Sequence, residues 1–171
     1  MVVLRATQKL AKLLPPAGDS SREPDTALGA WYVNRLTVDR QPLLLLVSAR
    51  SLLAILTPAR DVAALPQRLA SLVAARLKRL GIAAPLIAAE TAAMEPVAVA
   101  RTVDRSVVGI MVDYARMIPD YLPVGGWDAT TLPFVEAKLE ENPCHAGGPS
   151  AGVIFPDKAT PSLLLERWHA A

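Results

Sequence analysis

Trp31-Tyr-Val-Asn-Arg-Leu-Thr-Val38, Asp39-Arg-Gln-Pro42 and Leu43-Leu-Leu-Leu-Val47 form the stretch that decides the fold. The first run is β-branched and aromatic, as strands are. Asp39-Arg-Gln-Pro42 has turn chemistry, with Asp at a favoured first position. Leu43-Leu-Leu-Leu-Val47 is apolar without interruption, which predicts a central strand covered on both faces. The chain turns again at residues 48–51, and residues 52–57 predict a third strand. Connections this short join antiparallel neighbours, so the three strands form a meander.

Upstream, residues 2–4 predict a short buried strand. Thr7 predicts the N-cap of a helix through Leu14, stopped by Pro15 and Pro16. Residues 17–28 are rich in Pro, Ser, Gly and charge and predict a mobile surface loop. Downstream, Leu65, Leu69, Leu72, Leu77 and Leu80 share one stripe of a helix with Pro66 in its first turn and Gly81 as its C-cap. Arg76, Lys78 and Arg79 then complement the helix dipole. Residues 82–90 and 97–102 predict two further strands. Asp104 predicts the cap of a helix ending near Ile118, with Val108, Met111, Val112, Ala115 and Ile118 facing inward. Two more helices are predicted near residues 130–141 and 161–168. In the first of these, Glu136 and Glu140 read as a solvated i,i+4 pair.

Strands come consecutively and helices gather toward the end. This order predicts an α+β fold: an antiparallel sheet built around the three-strand meander, with helices packed on one face. A chain of 171 residues fits a single domain over 1–171.

Composition excludes several functions. The net charge of +2 is small and spread along the chain, so no tight binding to duplex DNA is expected. Cys144 is the only cysteine, so no intrachain disulfide is available. With no apolar signal segment in the first residues, this points to the cytoplasm. The longest apolar run, 42–59, contains Ser48, Arg50 and Ser51 and does not read as a membrane span. One Cys and two His are too few for a Cys/His zinc site, so no metal is expected. Gly125-Gly126 and Gly147-Gly148 lack the spacing and the Lys of a phosphate loop, and there is no GxSxG elbow. No cofactor is predicted. Cys144 and His145 are adjacent, so their side chains point apart rather than forming a catalytic pair.

One segment stands out: Arg101-Thr-Val-Asp-Arg-Ser-Val-Val-Gly-Ile-Met-Val-Asp113. Arg105, Gly109 and Asp113 recur every four residues and share a helix face. Gly inside a helix costs about 1 kcal/mol against Ala, so Gly109 predicts close packing against the sheet or room for a ligand. The polar residues Arg5, Thr7, Lys9, Tyr32, Asn34, Arg105, Ser106 and Asp113 form the candidate ligand-binding set. Strand ends and helix N-termini are where an α+β domain gathers such groups.

The segments Leu4-Arg-Ala-Thr-Gln-Lys-Leu10, Trp31-Tyr-Val-Asn-Arg-Leu36 with Asp39-Arg40 and an apolar strand, and Arg101-Thr-Val-Asp-Arg-Ser-Val-Val-Gly-Ile-Met-Val-Asp113 together resemble a family of small bacterial single-domain proteins of unknown function. The family patterns are LRxTxKL, WYxNLL followed by DRR, and TxxRSVLGxMND. Here Val112 replaces the Asn before Asp113, and Gln41 replaces the second Arg. The resemblance implies one domain and no particular activity.

Two functions are then expected. The first is a non-catalytic interaction or regulatory protein with a protein partner, in a mobile-element, toxin–antitoxin or defence system. The second is an enzyme or binder acting on a phosphorylated or other anionic ligand through the Arg/Asn/Asp cluster. A homo-oligomer is compatible with either.

Overall fold

The computed structural model describes residues 1–16, 18–146 and 152–169. Gly147-Gly148 and the end of the loop around them lie outside the described residues.

The meander forms as its sequence predicts. β2 (Trp31–Val38), β3 (Gln41–Ser48) and β4 (Ala54–Pro58) pair antiparallel in chain order. The β2–β3 turn is tighter than predicted. Asp39 and Arg40 both take positive φ, 51° and 63°, as in a two-residue type I′ loop whose twist matches its strands. Pro42 therefore lies in β3, opposite Thr37.

The sheet as a whole is mixed, not antiparallel. β1 (Val2–Ala6) lies between β2 and β5 (Val97–Arg101) and runs parallel to both, giving the order β4-β3-β2-β1-β5. Parallel neighbours need long crossovers, and the segment between β1 and β2 and the helices ahead of β5 supply them.

Helices cover both faces, which corrects the one-face expectation. Leu44 and Leu46 of β3 point to one core, Leu45 and Val47 to the other, and all four are fully buried. The first core takes Leu10 of α1 (Gln8–Ala11), Leu65, Leu69, Val73 and Leu77 of α2 (Leu65–Arg79), and Leu164 of α6 (Pro156–Trp168). α3 (Ala84–Ala93) packs on the same side through Leu86 and Ile87. The second core takes Val107, Ile110, Met111 and Tyr114 of α4 (Arg105–Met117) and Val135 and Leu139 of α5 (Thr131–Glu140).

The outer edge of β4 is closed by side chains. Arg76 Nε donates to the Ala54 carbonyl at 2.9 Å, and the Leu56 N–H donates to Glu136 Oε2 at 2.9 Å. These contacts occupy backbone groups that would otherwise recruit another strand. At the other edge Gly18 (φ +69°) lies against β5, where an added Cβ would stand 3.0 Å from Ala98 Cα.

Other expectations change as well. Residues 84–93 are helical, because Pro85 suits a first turn and the Ala-rich run favours helix over strand. α1 ends at Ala11, and the Thr7 side chain makes no capping bond. The loop over 17–28 is not wholly superficial: Ala27 and Leu28 are fully buried. α6 begins at Pro156 and contains Pro161. Glu136 is not on a solvated face; it is buried against Arg76 and Arg79. Arg76 therefore serves the packing of α2 on α5 and β4 rather than the helix dipole.

α4 is rotated relative to the predicted stripe. Tyr114 and Ile110 turn inward and leave Val112 45 % exposed. Gly109 consequently faces outward, and a Cβ placed there would meet nothing within 4 Å. It does not mediate packing on the sheet. Gly109→Ala should raise stability by about 1 kcal/mol, because the helix gains propensity with no clash. A raised urea midpoint at unchanged m-value is the expected result, and a lowered midpoint would show that the backbone there is crowded.

Candidate functional site

β1, β2 and β5 run the same way, so β1 and β5 end together. Arg5 aligns with Tyr32 and Ala100, and Ala6 with Val33 and Arg101. Beyond β1 the chain enters α1 on one face; beyond β5 it enters α4 on the other. The carboxyl end of β1 is thus flanked by two departing helices, the arrangement at which open sheets with parallel strands bind ligands.

Side-chain alternation decides what is displayed there. Val3 and Tyr32 belong to the core under α4, so Arg5 and Asn34 point to that face too. Thr7 Oγ1 donates to Asn34 Oδ1 at 3.1 Å, and the Arg35 N–H donates to the same oxygen at 2.8 Å. Arg5 Nη1 donates to the Arg101 carbonyl at 3.1 Å. The Asp104 N–H donates to the Tyr32 hydroxyl at 3.1 Å, which ties the start of α4 to β2. Asp104 caps α4 as predicted, its Oδ1 accepting from the Ser106 N–H at 2.8 Å and from the Ser106 hydroxyl at 2.6 Å. Those bonds, the Ser106 hydroxyl first, hold the Asp104 carboxyl below its ordinary range. The helix amides that an anion would have used are therefore partly taken by the chain's own carboxylate.

Of the eight predicted residues, Thr7 bonds Asn34, Arg5 bonds the Arg101 carbonyl, and Tyr32 and Ser106 each bond Asp104, three separate contacts. Lys9 is exposed on α1. Arg105 and Asp113 lie apart on the outer face of α4, both exposed. Sequence reasoning missed Arg101 and Asp104 as members; their place at the end of β5 depends on the parallel pairing with β1.

Several clefts lie elsewhere among the described residues. One of about 590 Å³ sits between the β2–β3 turn and the segment after α4, lined by Val38, Asp39, Ala115 and Val124 among others. It holds none of the predicted polar set. Another, of about 400 Å³, is bordered by Asp113, Arg116, Tyr114, Cys144 and His145. Cys144 is buried, and its thiol lies 3.2 Å from the Tyr114 hydroxyl, which itself lies 2.8 Å from the Leu52 carbonyl. Burial, with Asp113 nearby, pushes the Cys144 thiol up, and burial pushes the Tyr114 hydroxyl up as well. Burial against Tyr114 disfavours the thiolate, the reactive form of a cysteine. Among the described residues, no group of three or more His, Cys, Asp or Glu is placed to hold a metal ion. No described helix is long and apolar enough to cross a membrane.

The fold and this cluster define a three-layer α+β domain with a polar shelf at the ends of its parallel strands. The chain belongs to the family described as domain of unknown function DUF6933, matched over residues 3–159. No curated protein and no solved structure matches it.

Proposed function

We propose that this chain is a non-catalytic binding protein that receives an anionic group at the carboxyl ends of β1 and β5. The observation that supports this reading is the state of Arg5. It is half-buried and spends one described donor on the Arg101 carbonyl. A guanidinium has five donors in a planar fork suited to carboxylate or phosphate. Among the described residues neither Arg5 nor Arg101 forms an ion pair; the described pairs involve the N-terminus with Asp25, and Arg76 and Arg79 with Glu136 and Glu140. Asn34 and Thr7 flank Arg5 with further polar groups. The Thr7 hydroxyl donates to the Asn34 amide oxygen, which is no base, and the Ser106 hydroxyl donates to Asp104, whose carboxylate is engaged as the cap of α4. This favours holding a ligand over transforming it.

Amide NMR during titration with inorganic pyrophosphate tests the reading. Shifts should concentrate at residues 5–8 and 101–106 and should vanish in Arg5→Gln/Arg101→Gln. An unresponsive shelf, or an equal response in the double variant, overturns it.

A further inference from the structure

Arg105, Gly109 and Asp113 stand outside that shelf and are not used by it. The three residues, with Val112 and Arg116, make the exposed face of α4. Gly109 weakens the helix, and apart from its chain neighbours and its own helix backbone nothing lies within 4 Å of where its Cβ would be. Val112 is 45 % exposed and Val103, just before the helix, 69 %. Arg105 and Asp113 have no oppositely charged partner among the described residues. They lie too far apart to pair with each other, about 12 Å along the axis at 1.5 Å per residue.

The spacing is symmetric. Arg105 precedes Gly109 by four residues and Asp113 follows it by four, so each stands about 6 Å along the axis from Gly109 and on opposite sides of its meridian. A two-fold axis lying between the two helices, parallel to this face and perpendicular to the helix direction at the level of Gly109, brings Arg105 of one copy opposite Asp113 of the other. It does the same in reverse. The same operation sets Val112 level with Ser106 of the second copy. An isologous contact requires this property, that residue i meets j and j meets i.

We infer that the outer face of α4 is a self-association surface, on which a second copy of this chain packs antiparallel across Gly109 with two reciprocal Arg105–Asp113 ion pairs. Gly109 lets the two helix backbones approach, which explains a helix glycine with no neighbour of its own. Val112 supplies apolar cover beside the crossing. One helix pair buries less than a permanent dimer does, so the association is reversible and concentration-dependent.

Sedimentation velocity on the whole chain over a concentration series tests this. The wild type should pass from monomer to dimer as concentration rises, and added salt should weaken the dimer. Arg105→Asp and Asp113→Arg should each weaken it by about tenfold or more, because either change sets like charges against each other at both ends. The combined Arg105→Asp/Asp113→Arg variant should restore it. Gly109→Leu should abolish it while circular dichroism and Tm stay those of a folded domain. A wild type that remains monomeric throughout overturns the inference. So does a dimer indifferent to single charge reversal, or a double reversal that fails to recover association.

Discussion

Glu90→Ala should destabilise the protein by about 3–5 kcal/mol, since each buried donor left without a partner costs about 1–3 kcal/mol. Glu90 is completely buried on α3, and its carboxylate accepts three bonds. Oε2 takes the Ala27 N–H and Trp168 Nε1, both at 2.8 Å, and Oε1 takes the Leu28 N–H at 3.0 Å. One side chain thus anchors the end of the loop before β2 and the end of α6. Removing it strands two backbone amides and an indole together. Glu90→Gln should be milder, because the amide oxygen can keep the Ala27 and Trp168 bonds while its nitrogen opposes the Leu28 N–H. Trp168→Phe removes a single donor and should cost about 1 kcal/mol or less in hydrogen bonding. Urea denaturation followed by circular dichroism would rank the three. Equal losses, or a Glu90→Ala loss below about 1 kcal/mol, would show that the loop is held by its apolar contacts instead.

Glu90 also marks the limit of what the sequence discloses. In Ile82-Ala-Ala-Pro-Leu-Ile-Ala-Ala-Glu90 the apolar run resembles a strand, and nothing local says that its acidic end turns inward to meet a loop more than sixty residues earlier. The meander was legible because its information is local: strand residues, a turn and strand residues again. Leu43-Leu-Leu-Leu-Val47 even announced two covered faces, and that requirement already contradicted a sheet with helices on one side. The parallel position of β1 left no such mark. Val2-Val-Leu4 reads as a strand whichever neighbour it takes, and parallel pairing is decided by crossovers rather than by adjacent turns.

The polar set was legible to a similar degree. Tyr32 and Asn34 were recognisable as polar groups in an apolar strand, which need partners, and Arg5 and Thr7 as polar groups just past the end of the first predicted strand. Asp104 was recognisable as a cap, and its bond to Ser106 follows from that role. Joining Arg101 to them required knowing that β5 lies beside β1. Arg105 and Asp113 were grouped with the set because they share a helix face with Gly109, but that face turns outward. On α4 the predicted row is right at Met111 and Ile118, which are buried, and wrong at Val112, which is 45 % exposed. Ile110 and Tyr114 bury more surface on the other side of the helix, and the larger burial wins.

The ion pairs between α2 and α5 give the other large effect. Arg76 is 2 % exposed and Glu136 1 %; Arg76 Nη2 also donates to Glu140 and to the Glu136 carbonyl, and Arg79 Nη2 donates to Glu136 Oε1 at 2.7 Å. Burial pushes the Glu136 carboxyl above its ordinary range, against the pull of Arg76, the Leu56 amide and Arg79. Arg76→Met should cost about 3–5 kcal/mol at neutral pH, the usual penalty for leaving one member of a buried pair uncompensated. The sign of its pH dependence follows from linkage. A carboxyl with a raised folded pKa adds stability that is complete below its unfolded pKa and is lost as pH rises through the folded pKa. Without Arg76 the folded pKa rises further, so the variant loses more than the wild type as pH climbs. The gap between them should be widest near neutrality and should shrink as acid protonates Glu136. Arg76→Met/Glu136→Leu should recover part of the loss, since an apolar pair needs no compensation. Recovery should be incomplete, because the Leu56 N–H on the edge of β4 then lacks its acceptor, at about 1–3 kcal/mol. Urea melts of the three proteins at neutral and mildly acidic pH would measure each difference. A gap that stays constant across that range would mean that Glu136 is not the group Arg76 compensates, and would assign the stabilisation to the Ala54 and Glu140 bonds instead.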